Sequence, residues 1–118
     1  MKSKRFINKL QYPGGKEALE IFVKNNLRYP KDAILNKIEG KVFIKYEVND
    51  IGAIHSVTVT SGIGYGCDKE AIRIVKLLQY PSKINKGVRT NTKLKISIDF
   101  QLPRDKTLSI NYIYKKKD

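Results

Sequence analysis

His55 and Cys67 are the chain's only histidine and only cysteine, so thiol–imidazole or metal chemistry would have to pass through them. Cys67 stands just before a helical pattern, a position that can lower a thiol pKa. With no second histidine to serve as its base, it reads as a small buried residue near a helix start. His55 lies on a β-branched run in phase with Val57 and Val59, which reads as a packed or half-exposed structural histidine. One cysteine cannot close an internal disulfide, and the two residues together cannot make a metal set. Ser61-Gly62-Ile63-Gly64-Tyr65-Gly66 superficially resembles a phosphate-binding loop. It lacks the Lys-Ser/Thr ending of the nucleoside-triphosphate motif, and its spacing fails GxGxxG. The residues therefore predict no catalytic group, no cofactor and no metal, and a protein that is not an enzyme.

Charge is the other chemical feature. The 118 residues hold 24 Lys+Arg against 11 Asp+Glu, a formal +13, which suggests an anionic partner. Its placement matters more than its sum. Lys2, Lys4, Arg5 and Lys9 lie in an acid-free start, and Lys115, Lys116 and Lys117 stand beside Asp118 at the end; without them the balance is +7. Between Ala71 and Ile98 there is no acid, while Arg73, Lys76, Lys83, Lys86, Arg89, Lys93 and Lys95 all occur. Hydrophobic residues at 41% and charged residues at 30% fit neither a disordered nor a membrane-spanning chain. No apolar run approaches the about 20 residues of a membrane helix. Residues 1–9 are too short and polar for a signal-peptide core.

The elements that must position these residues follow from periodicity. Residues 16–27 predict a helix after Pro13-Gly14-Gly15, with Leu19, Phe22, Val23 and Leu27 on one face. Pro30 is suited to begin a second short helix with Ala33, Ile34 and Ile38 on its apolar side, ending at Gly40. From Lys41 the period changes to two: Val42, Ile44, Tyr46 and Val48 share a face, and Phe43, Lys45 and Glu47 take the other. Asn49-Asp50-Ile51-Gly52 has hairpin-turn chemistry, and residues 54–60 read as the returning strand. Residues 68–78 predict a helix with Ala71, Ile72, Val75 and Leu78 buried, capped by Cys67 or Asp68. Tyr80-Pro81 ends it, and a basic loop occupies residues 82–91. Leu94, Ile96, Ile98, Phe100 and Leu102 then alternate with polar residues, predicting a strand with one core face. Residues 108–114 alternate again, more weakly.

The order α-α-β-β-α-β(-β) is an α+β fold with helices on one face of a small antiparallel sheet. A right-handed crossover from the second strand to the third predicts sheet order 2-1-3(-4). The third strand is then an edge unless residues 108–114 cover it. An uncovered edge can take up an extended peptide through its free backbone groups.

Tyr12-Pro13-Gly14-Gly15 with Ala18-Leu19, followed by Asn26-Leu27-Arg28-Tyr29-Pro30, resembles the start of the TonB C-terminal domain of Bacteroidetes-type energy transducers. Ile38-Glu39-Gly40-Lys41-Val42, Asp50-Ile51-Gly52, Ser61-Gly62, Gly66 to Arg73 and Ile98-Asp99-Phe100-Gln101-Leu102 continue the pattern in order. Tyr80-Pro81-Ser82-Lys83 stands where many members carry Trp-x-Pro-Gly, so Tyr80 would take the aromatic's place.

The resemblance covers residues 12–102 and implies a periplasmic protein-binding domain. Such domains dock the TonB box of outer-membrane transporters by β-strand addition and couple inner-membrane proton-motive energy to transport. Carried over residue by residue, docking would involve Lys93, Lys95, Ile96, Ser97, Ile98, Asp99, Phe100 and Gln101, with Tyr29 and Pro30 nearby. Inner-membrane proton-channel partners would be reached only through an anchor outside these residues. The expected organisation is a basic lead over residues 1–11, the domain over 12–103, and an extra edge strand with a Lys-rich tail over 104–118. If residues 108–114 pair with the third strand, the consequence is self-inhibition or a swapped homodimer. The alternative reading is a small basic nucleic-acid-binding domain. Against specific nucleic-acid binding, the third strand carries no outward aromatic and no RRM or KH signature appears.

Overall fold

Gly14 takes a left-handed conformation (φ 90°) and caps the first helix, α1, which runs Gly15–Asn26. A Cβ at Gly14 would sit 2.7 Å from that of Ala18, so both φ and space call for glycine there. In a computed structural model the chain is described over residues 10–82 and 89–103. Within α1, Leu19, Phe22 and Val23 pack half-buried against the core, and Leu27 follows them as the C-cap.

Pro30 is the N-cap, rather than the first residue, of the short helix α2 (Lys31–Leu35), in which only Ala33 is fully buried. The helix stops at Asn36, before the expected Gly40, and Lys37 (φ 53°) helps turn the chain towards the sheet.

The first strand, β1 (Gly40–Asn49), alternates as expected: Val42, Ile44, Tyr46 and Val48 are buried. Its hairpin turn is organised by Asn49, whose Oδ1 accepts from the amides of Ile51 and Ala53 at 3.1 and 2.9 Å. Strand β2 (Ile54–Ser61) returns antiparallel to it. Here one sequence expectation fails. Glu47 faces His55 and Lys45 faces Thr58, so β2 spends one extra residue where Ser56 adopts φ 55°. That bulge shifts the phase. His55 therefore lies on the outer, polar face with Glu47, while Val57 and Val59 pack half-buried against the core.

The helix α3 (Cys67–Leu77) buries Cys67, Ala71, Ile74 and Val75, with Leu78 buried at its C-cap. Ile74 takes the central place expected of Ile72, which is half-buried. Gly66 is the N-cap at φ 87°, in place of Cys67 or Asp68. Asp68 is committed elsewhere: its Oδ1 accepts from the backbone of Ile63 at 2.9 Å and Gly64 at 3.3 Å.

Strand β3 (Asn91–Phe100) pairs antiparallel with β1 in unbroken register from Asn49↔Asn91 to Gly40↔Phe100. The sheet order is β2-β1-β3, as the crossover argument required. The alternation ends at Phe100 rather than Leu102, whose amide instead donates to Glu39 Oε2 at 2.7 Å. The expected strand over 108–114, the basic loop over 83–88 and the basic lead over 1–9 lie outside the described residues.

Candidate functional site

Strand β3 is the end strand of the sheet, and among the described residues nothing pairs with its far side. Its two faces differ sharply. Lys93, Lys95, Ser97 and Asp99 point to the exposed outer face, while Leu94, Ile96, Ile98 and Phe100 turn towards the helices. Ile98 and Phe100 are fully buried, whereas Leu94 and Ile96 are only half-buried. Gln101 is exposed just beyond the strand's end. The backbone of β3 is thus anchored from the inside at one end and is partly open at the other.

Tyr29 and Pro30 act on this edge from below. Tyr29 is buried, its hydroxyl donates to the Ile38 carbonyl, and its ring meets Phe100 edge-on with centroids 5.5 Å apart. Tyr29 therefore supports the C-terminal end of β3 from the core. Pro30 is half-buried and close to Gly66, where an added Cβ would approach its ring carbon at 3.0 Å.

The loop holding these residues is clamped to α3 by a cluster the sequence reading did not single out. Arg73 donates from Nε and Nη2 to the two oxygens of Glu70, at 2.8 and 2.7 Å, and Nη2 also reaches the Asn26 carbonyl at 2.7 Å. Glu70 Oε2 in turn accepts from the Arg28 amide at 2.6 Å. This hydrogen bonding, chiefly with Glu70, pushes the Arg73 guanidinium above its usual pKa. The available signal was Glu70 and Arg73 at i,i+3 spacing on a helix.

Aromatic packing completes the support. Tyr80 is buried, meets Tyr12 edge-on at 5.7 Å, and shares a 2.6 Å hydrogen bond with the Tyr46 hydroxyl. Burial, followed by that bond, holds the Tyr46 phenol far above its ordinary range.

Cys67, His55 and the Gly-rich loop are engaged in structural contacts. Cys67 is fully buried, and burial first, then Asp68 and Glu70, pushes its thiol up to about 11. His55 Nε2 lies 2.7 Å from Asn91 Oδ1, and Nδ1 lies 3.0 Å from Ser56 Oγ. The Gly64 and Ile63 amides that a phosphate would need are taken by the Asp68 carboxylate, itself an anion. Among the described residues no group of three or more His, Cys, Asp or Glu side chains could hold a metal ion, and no helix is long and apolar enough to cross a membrane.

Fold and edge together define a small α+β domain: helices on one sheet face, the other face largely polar, and an end strand with no partner on its far side among the described residues. The chain belongs to the Gram-negative bacterial TonB protein C-terminal family, whose sequence model matches residues 25–102. That family serves TonB-dependent transport, and its C-terminal domains are periplasmic and non-enzymatic. Two solution NMR structures of the Helicobacter pylori TonB C-terminal domain share the fold. A longer form aligns with TM-score 0.56 at 23% identity, covering 74% of this chain and 79% of that one. A shorter form gives TM-score 0.57 at 23% identity, covering 75% and 95%. No curated protein matches the chain.

Proposed function

We propose that this domain takes up the TonB-box segment of an outer-membrane transporter as an added strand beside β3, in the periplasm. The unit that does so is residues 12–103, and the bound segment is the point at which a pull driven by the inner-membrane proton gradient is delivered. Family membership supports transporters as the partner class. The observation that carries the reading is β3 itself: ten residues in unbroken register with β1 on one side, and no strand on the other among the described residues. Free amides and carbonyls along such an edge bind an extended chain through main-chain hydrogen bonds. The docking backbone is that of Lys93, Lys95, Ile96, Ser97, Ile98, Asp99, Phe100 and Gln101, with Tyr29 and Pro30 holding the edge in place. Domains with this job break no bond.

Titrating a TonB-box peptide into isotope-labelled protein is the direct test. Amides of residues 93–102 should shift, with β2 unmoved. An unshifted β3 at saturating peptide overturns the proposal. Residues 108–114, where present on the same edge, would compete with the peptide. Truncation after Pro103 should then raise peptide affinity.

A further inference from the structure

The two faces of β3 carry information about the strand it would receive. On the outer face, Lys95 sits directly opposite Lys45 of β1, a like-charge pair across the ladder. Such a pair is destabilising unless an anion answers it. Lys93 faces Glu47, but that carboxylate accepts from Asn91 Nδ2 and lies 3.9 Å from His55 Nε2. Among the described residues none of Lys45, Lys93 and Lys95 forms an ion pair. Further along, Asp99 lies opposite Lys41, so the excess positive charge is confined to the N-terminal half of β3. On the inner face of that same half, Leu94 and Ile96 are only half-buried, although Tyr46 and Ile44 opposite them are almost fully buried. One half of the edge therefore has unanswered lysines above and unfinished apolar surface below.

Resting on the strand-addition reading, we propose that the received segment alternates. Acidic side chains lie on its outer face beside Lys93 and Lys95, and apolar side chains lie on its inner face over Leu94 and Ile96. Side chains of an added strand fall on alternate faces and recur about every 6.6 Å along one face, the spacing of Lys93 and Lys95 themselves. An acid at each outer position meets one lysine of β3, while Lys45 stands one strand further in, about 10 Å across the sheet from the added strand. A branched apolar residue at each inner position extends the core past the present edge. Opposite Asp99 the segment is neutral or basic. Because the lysines are exposed, their share falls with added salt, while the apolar share does not.

The test uses the labelled full chain and nine-residue peptides. One alternates Glu and Val; a second has the same composition in two blocks and cannot place acids out and valines in along consecutive positions. A third alternates Lys and Val. The Glu/Val alternating peptide should shift the amides of residues 91–100 and bind at least about tenfold more tightly than the block peptide. In Lys93→Glu/Lys95→Glu the preference should reverse towards the Lys/Val peptide, whose binding also shows that the variant is folded. Equal affinity of block and alternating peptides, with β3 amides shifting for both, leaves strand addition standing and overturns the alternation. A preference unmoved by the charge reversal overturns it too. If none of these peptides moves β3 while a TonB-box peptide does, the alternation alone is overturned; if a TonB-box peptide also leaves β3 unmoved, the strand-addition reading fails and the pattern falls with it.

Discussion

Arg73 and Glu70 show how much of this domain's support for its edge rests on single side chains. The guanidinium meets both carboxylate oxygens and a backbone carbonyl, and the carboxylate also accepts the Arg28 amide. Fork-on-fork pairing of this kind needs arginine geometry, which an ammonium cannot reproduce. Arg73→Ala should cost about 2 kcal/mol in urea unfolding, and Arg73→Lys should recover less than half of it. Cys67 makes a second prediction at this scale. Its thiol is held up to about 11 by burial and two neighbouring carboxylates, whereas an unfolded thiol titrates near about 8.5. The folded state therefore favours the protonated form. Its contribution is whole below the unfolded value and is lost as pH rises from about 9 through about 11. Native protein at pH 8 should resist a thiol reagent until it unfolds, and Cys67→Ala should flatten the alkaline fall in Tm. A native thiol that labels within seconds would contradict the buried placement.

At the scale of elements, the β1–β2 hairpin depends on one residue without a side chain. Gly52 has φ 87°, and an added Cβ would run into the Tyr80 carbonyl oxygen while lying 3.2 Å from that of Pro81. Gly52→Ala meets both a left-handed backbone penalty and a clash with the segment leaving α3, and should cost about 2 kcal/mol or more. The Gly-rich turn chemistry of the hairpin was legible from Asn49-Asp50-Ile51-Gly52. Its contact with Tyr80 was not, because 27 residues of chain separate the two and only packing brings them together. The bulge at Ser56 is a similar case. Strict alternation in a sequence assumes unbroken pairing, and one inserted residue reverses every face assignment beyond it. Hence His55 was read in phase with Val57, and the fold sets them on opposite faces.

For the molecule as a whole, the sheet's stability and the proposed recognition of an acidic segment rest on different side chains. Ile98 and Phe100 fix β3 to the core at zero exposure, so Ile98→Ala should destabilise by about 3 kcal/mol. Lys93 and Lys95 are exposed on the outer face without ion pairs among the described residues. Lys93→Ala and Lys95→Ala should each change stability by less than about 0.5 kcal/mol while weakening an acidic peptide. Thermal unfolding and peptide titration on the same variants separate the two effects. The net +13 is correspondingly a poor guide by itself. For the proposed docking, what matters is the part of it that the ladder places on β3.

Local chemistry in the sequence determined the element types, the buried face of β1, the hairpin and, through the handedness of crossovers, the order β2-β1-β3. These follow from periodicity, turn residues and chain connectivity, all of which act over short stretches or through general chirality. The same string of residues also carried the family motifs from Asn26 to Leu102, which lie within the match over residues 25–102. Tertiary structure alone decided that Tyr29 lies beneath Phe100 in the core, that Glu70 and Arg73 tie α3 to the loop before α2, and that Lys45 stands opposite Lys95. Each of these is a meeting of groups far apart in the chain, and registers and bulges set by the whole packing choose between neighbours that sequence spacing leaves equivalent.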